Sequence, residues 1–404
     1  MHTKKQAVSR GGRCGSGVPA MLFHPQQPLM AMMGLEARPD ITIFLCGDVM
    51  TGRGIDQVLE HSVDPTLYES YIRSALDYVR LAEEVNGPLP RPLSFEYPWG
   101  DVLPLLKREA PDLRLINLET AITERGVPHS KCIHYRMHPL NVPCLVALGV
   151  NGAVLANNHV LDWGREGLED TLESLRQAGI TSVGAGHDRA EAAQDAQWVL
   201  PGKGRVRLFA FGHPSSGVPD EWAAGETSPG INWLPELTTA DIAELRAYLR
   251  ETRQEGDIVV VSLHWGSNWG YDVPCEQQRF AHTLIDEAGV DLVWGHSSHH
   301  PRPIEVYHDR LVLYGAGDFL NDYEGIRGYE EFRPELAALY LPRLRPDGSL
   351  RELRLWPLRV HLFRLKRAAA NEAHWLAETL SRVGRALGTQ LFPNHDGTLR
   401  LHWH

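Results

Sequence analysis

Residues 154–159 read Val-Leu-Ala-Asn-Asn-His. The apolar part is too short for a helix, and it stops abruptly at two amides and an imidazole. Asp162, Gly164 and a helical pattern over residues 168–175 follow. Such a run is a buried strand that delivers polar groups to its C-terminal edge. Four other runs repeat the device. Residues 45–47 end at Asp48, residues 115–116 at Asn117 and Glu119, residues 259–263 at His264, and residues 291–295 at His296, with His299 and His300 just beyond. Five strand ends bearing oxygen or nitrogen donors restrict the chain to folds that gather strand edges at one place.

Between these runs, strand and helix patterns alternate, which gives the fold class as α/β. Strands are expected at residues 41–47, 113–118, 153–156, 180–183, 198–200, 206–211, 257–263, 292–294, 304–307 and 310–314. Helices are expected over 66–84, 139–148, 165–178, 239–252 and 275–288. Residues 87–98 are a Pro-rich loop, and residues 214–232, rich in Pro, Gly and Ser, read as a loop that can act as a lid. The last part changes character. Residues 336–344 and 350–360 read as antiparallel strands, followed by an amphipathic helix over 367–386. Residues 1–39 read as a leader without the apolar stretch of a signal peptide. Residues 40–330 form the main domain, which residues 331–404 complete.

The chain has 404 residues, 43% of them hydrophobic, enough for a large core. Its formal charge of −11 speaks against a nucleic-acid surface, which needs clustered Lys and Arg. The five cysteines are odd in number and form no CxxC pair, so they read as reduced thiols and not as a disulfide framework. No run of about 18 apolar residues is present to span a membrane. The expected location is cytoplasmic, with no nucleic-acid partner and no direct membrane span.

Asp, Glu, Asn and His are hard or borderline donors that suit Mn, Mg, Fe or Zn. The candidate ligands are Asp48, Glu119, Asn158, His264, His296 and His299, for one or two divalent ions. Two bridged ions take about seven protein donors, one more than this set. His159 follows the Asn158 candidate directly and is placed to protonate a leaving group. Asp162 either orients His159 or caps the following helix. Arg53 and Arg302 are candidates for gripping an anionic substrate, since a guanidinium binds carboxylate or phosphate in bidentate fashion. Asp318 is a candidate to support a ligand from behind. Each motif alone has a plainer reading. Gly-Asp is commonly a turn, and His264 beside Trp265 an aromatic pair. Their joint placement at successive strand ends is what favours a metal site.

With these residues assembled, the chain resembles the bacterial capsule synthesis protein CapA/PgsA family, the poly-gamma-glutamate biosynthesis proteins, which is similar to a branch of the calcineurin-like metallophosphatases. The matching pieces are Gly47-Asp48-Val49-Met50 with Arg53, Asn117-Leu118-Glu119, and Ala156-Asn157-Asn158-His159 with Asp162 and Gly164. His264-Trp265-Gly266, Gly295-His296, residues 303–307 and residues 314–319 complete the set. The resemblance implies a four-layer α/β/β/α sandwich with its site at the C-terminal strand edges. It implies metal on Asp48, Glu119, Asn158, His264 and the late histidines, with His159 catalytic. Metallophosphatases usually carry His two residues after the first Asp, where this chain has Met50. Their late pair is usually His-x-His, where this chain has His296-Ser-Ser-His299-His300. One metal position is therefore expected to be weakened.

These readings lead to a metal-dependent hydrolase acting on a γ-glutamyl amide or a phosphoester. Two rivals stand beside it. One is a non-catalytic accessory protein that holds an anionic polymer among biosynthetic partner proteins. The other is a phosphatase on small-molecule metabolites.

Overall fold

Side chains alternate across a strand, so neighbours along residues Ile41–Cys46 face opposite layers. Ile41, Ile43 and Leu45 enter one core, and Phe44 and Cys46 enter another. The computed structural model describes residues 38–404, which form one unit, Arg38–His404. Two sheets face each other across the first of these cores. One has 11 strands and runs from Asp318–Leu320 through Asp48–Val49, Leu113–Leu118 and Ile41–Cys46 to the C-terminal strands. The other has six, in the order Ile304–Tyr307, Arg310–Leu313, Leu292–His296, Asp257–His264, Gly204–Gly212, Ala196–Leu200.

Ile258 and Val260 of the second sheet enter the inter-sheet core, while Val259, Val261 and Leu263 face outward. Helices cover both outer faces. Val79, Leu105, Leu145 and Leu172 bring four helices onto the larger sheet. Leu245, Leu249, Phe280 and Leu284 bring two onto the smaller one. The architecture is thus a four-layer α/β/β/α sandwich. Strands buried on both faces read as continuous apolar runs, which is why residues 257–263 carry no alternating pattern. Trp294 pins the layers together: it is fully buried, and its indole N–H donates to the Cys46 carbonyl of the other sheet at 3.0 Å. Truncating such a residue costs about 3–5 kcal/mol.

The helix expected over 66–84 is shorter, Ala75–Asn86. Ser74 caps it by accepting from the Leu76 amide, and Thr66 instead bridges to Ser74, which releases Glu69 into the interior. The helix expected from 239 starts at Ala243, after a turn over 239–242 in which Asp241 accepts from the Thr238 amide at 3.1 Å. The helix expected over 367–386 is Ala370–Gly384. Residues 214–232 contain two 3-10 turns and a short strand, Gly230–Ile231, paired with Ala185–Gly186. Two further strands, Thr389–Pro393 and Leu399–Trp403, are not among the expected ones, although Leu399, Arg400, Leu401 and His402 alternate between buried and exposed. The antiparallel strands Leu336–Leu344 and Leu350–Val360 pair with each other and, through Ile41–Cys46, with the first sheet. All but the last two residues of the expected leader lie outside the described residues.

Candidate metal centre

Strands Ile41–Cys46 and Asp48–Val49 are one path broken at Gly47. A Cβ there would stand 1.8 Å from the Gly317 carbonyl oxygen, so only glycine fits. Asp48 then pairs in parallel with both Asn117 and Asp318, its neighbours on either side. Glu119 follows the Leu113–Leu118 strand, with its amide donating to the Val49 carbonyl at 3.0 Å. Asn158 and His159 follow Gly152–Val154. From the second sheet, His264 and His296 end adjacent parallel strands in direct register, with their rings stacked 6.4 Å apart. The C-terminal edges of the two sheets therefore meet over one small volume.

In that volume one ligand atom each of Asp48, Glu119 and His264 lies within 4.8 Å of the others, and all three residues are buried. Asn158 joins them, its Oδ1 3.1 Å from His264 Nε2. His296 Nδ1 lies 2.8 Å from Asp48 Oδ1, and the Asn117 amide donates to the same oxygen at 2.8 Å. His299 stands further out. Its Nδ1 lies 3.0 Å from Asp318 Oδ1, and its Nε2 is 3.1 Å from the Asn268 amide. His300 turns away to the Pro301 carbonyl and the rings of Tyr271 and Phe332.

The electrostatics follow from burial. Desolvation would raise Asp48, but hydrogen bonding and charge from His296 overcome it and hold the carboxyl well below the ordinary range. Glu119, buried beside Asp48, is pushed far up. Burial lowers His264 to about 3 against the pull of Asp48, so the imidazole is neutral and able to ligate. Two buried carboxyl groups at close quarters, a neutral imidazole and an amide oxygen make a donor set that fits a divalent cation, whose charge would favour loss of the Glu119 proton. The buried Nε2 of His296 has no hydrogen-bond partner, a further donor left free.

The first asparagine of the pair has a structural duty. Asn157 donates to Asn117 Oδ1 and to the Leu118 carbonyl, and accepts from the His159 and Val160 amides at 3.1 Å. That clamp turns the chain so that Asn158 faces the centre. His159 Nδ1 lies 2.7 Å from Asp162 Oδ2, and its Nε2 is 3.8 Å from Glu119 Oε1. Burial, only partly opposed by Asp162, lowers His159 to about 4. Asp162 also accepts from the Tyr135 amide at 2.6 Å and from Lys131 Nζ at 2.7 Å. Lys131 and Tyr135 carry no motif; a loop of ordinary composition brings them in.

The two arginines are not presented as free cations. Arg53 is buried and is paired with Glu69, Asp322 and the Tyr78 hydroxyl, with its guanidinium also over the Tyr135 ring. Arg302 is buried as well, donating to Gln277 at 3.2 Å and to the Asp272 carbonyl. Arg53 is thus held in buried ion pairs, whereas Arg302 has no carboxylate within pairing distance among the described residues and its buried Nε has no hydrogen-bond partner there. Met50 is buried, with the Tyr323 hydroxyl 3.6 Å from its sulfur. Asp318 is the support behind His299.

Among the described residues no helix is long and apolar enough to cross a membrane. A relative from Mycobacterium tuberculosis (strain ATCC 25618 / H37Rv), named "Probable polyglutamine synthesis accessory protein", is 47% identical over 371 residues, covering 91% of this chain and 97% of its own. The "PGA biosynthesis protein CapA" of Bacillus subtilis (strain 168) is 25% identical, over 78% of this chain and 70% of its own. A crystal structure of a 5'-nucleotidase precursor from Thermus thermophilus aligns with a TM-score of 0.42 and 13% identity, over 86% of this chain and 59% of that one, a likeness too distant to carry an argument. The model of the bacterial capsule synthesis protein family PGA_cap matches residues 42–323. That span contains every residue of the candidate centre, and the chain belongs to this family of capsule and poly-gamma-glutamate biosynthesis proteins.

Proposed function

We propose that this chain is a metal-dependent hydrolase that cleaves an amide of a glutamate-derived polymer, with phosphoesters as the second substrate class. The observation that carries the reading is one geometry. His159 is held by Asp162 on one nitrogen and turns the other toward Glu119, inside the Asp48, Glu119 and His264 group. The polymer class comes from the names of the relatives.

Asp48, Glu119, Asn158 and His264 would hold the ion, with His296 beside them. When bound, a divalent cation polarises the oxygen of the scissile group and acidifies a water. The chain's own residues supply the proton handling. Asp162 is anionic, since His159 and Lys131 outweigh burial and lower its pKa. It therefore accepts the Nδ1 proton of His159, which leaves the Nε2 lone pair directed at the centre. That nitrogen takes a proton and returns it to a leaving nitrogen or oxygen. The accessory-polymer reading is weaker, because Arg53 is neutralised by Glu69 and Asp322 and both arginines are buried.

The test is metal content by mass spectrometry, then turnover of a γ-glutamyl anilide and an aryl phosphate after loading with Mn, Fe, Zn or Mg. We expect one or two equivalents of metal, lost in the Glu119→Ala, His264→Ala double variant, with metal-dependent release from at least one substrate. A protein that takes up no metal, or one that is loaded and inert toward both classes, overturns the reading.

A further inference from the structure

Lys131 lies outside every motif that marks the centre, yet its ammonium stands directly behind His159. Nζ donates to Asp162 Oδ1 at 2.7 Å and to the Asn158 carbonyl, and stands 3.3 Å from His159 Nδ1. It also lies 5.3 Å from the centre of the Trp222 ring. Asp162 is fully buried, and Lys131 retains 22% of its side-chain exposure. One cation thus ties together the loop that carries it, the turn that bears Asn158 and His159, and the segment of Trp222.

We propose that Lys131 is a positioning residue that fixes the tautomer and orientation of His159 through Asp162. A carboxylate has two oxygens, and here they divide their work. Oδ2 faces His159 and the Tyr135 amide, while Oδ1 is claimed by Lys131. With Oδ1 held, the carboxylate cannot rotate away from the imidazole. With the Asn158 carbonyl held by the same ammonium, the backbone under the ring cannot shift either. Lys131 Nζ also stands 3.3 Å from His159 Nδ1, but the shorter 2.7 Å contact to Asp162 Oδ2 makes the carboxylate the partner of the Nδ1 proton. The imidazole keeps one tautomer, with its Nε2 lone pair toward Glu119. Lys131 itself touches neither the Nε2 side nor the Asp48, Glu119 and His264 group, so it acts through its neighbours.

This inference rests on the proposed hydrolase reading for its kinetic readout, and on none of it for its spectroscopic one. The experiment compares full-length wild type with Lys131→Met and Lys131→Arg. Metal content is measured first. The ring nitrogens of His159 are then followed by 15N-edited NMR in the metal-free protein, with His159→Gln assigning the signal. We expect wild type and Lys131→Arg to show a single Nδ1–H tautomer, and Lys131→Met to show an exchanging mixture at unchanged metal stoichiometry. In the loaded enzyme, Lys131→Met should lower kcat by about ten-fold or more with KM within about two-fold. An unaltered His159 ring in Lys131→Met overturns the inference whether or not turnover is found. A rise in KM at constant kcat overturns it too, because that marks a substrate contact. If wild type is inert toward every substrate, the ring spectra alone decide for or against Lys131, while the failure falls on the hydrolase reading.

Discussion

His159 Nδ1 lies 2.7 Å from Asp162 Oδ2, three residues ahead on the same turn, and the carboxylate between them and Lys131 is fully buried. Replacing His159 by Ala should therefore remove turnover and leave metal content in place, since its Nε2 faces the centre without being one of the three convergent ligand atoms. Asp162→Asn should retain metal as well and lower kcat by about 10²–10⁴-fold, because an amide stabilises the wrong tautomer. Retained activity in the His159 variant would sink this assignment.

Gly47 sits where two backbones nearly touch. The Cβ of an alanine would meet the Gly317 carbonyl at 1.8 Å and its carbon at 2.5 Å, neither of which can swing aside. We predict that Gly47→Ala costs about 3 kcal/mol of stability and weakens metal binding, because Asp48 is the next residue and its amide donates to that carbonyl at 2.9 Å. Thermal unfolding and metal titration read both effects, and a variant as stable as wild type refutes the close approach.

Arg53 neutralises Glu69 and Asp322, whose side chains are 0% and 1% exposed. Arg53→Met would leave two buried carboxylates with no cation between them, at a cost of about 3–5 kcal/mol. Urea unfolding should show the loss directly. A small effect on stability with a large effect on substrate KM would restore the idea that Arg53 grips the substrate.

Asp56 offers a pH test remote from the metal ligands. It accepts from the Val63 and His138 amides and from the Asn141 side chain, yet burial outweighs these bonds and raises its pKa from 3.8 to about 6. The folded state therefore holds the proton more tightly than the unfolded chain. Its contribution to stability is full below about pH 4 and is lost as the pH rises through about 6. The difference in unfolding free energy between wild type and Asp56→Asn should then shift against wild type by on the order of 3 kcal/mol from pH 4 to pH 7. Parallel stability curves would show that Asp56 titrates normally.

Much of the centre was legible because strand ends are local events. An apolar run that stops at Asp48, Glu119, Asn158 or His264 declares both the strand and its edge, and the alternation of such runs with helical patterns declares the α/β class. The helix at Ala75 reads from its sequence as beginning near 66, since apolar spacing continues through residues that instead form a loop closed by the Thr66–Ser74 bridge. The three late histidines look equivalent in sequence. In the fold His296 reaches Asp48, His299 reaches Asp318, and His300 joins an aromatic cluster.

What the sequence by itself determined is the set of strands, their polar ends and the family pattern they form, because periodicity and residue type are properties of neighbours in the chain. Which donors converge was decided only by tertiary structure. Asp48 and His296 are 248 residues apart, and register between parallel strands brought His264 level with His296. The fold also engaged Arg53 in internal ion pairs and recruited Lys131 from a loop without a motif. Burial makes these choices: a charged group withdrawn from water must find its partner inside the protein, and only the packed structure says which partner is there.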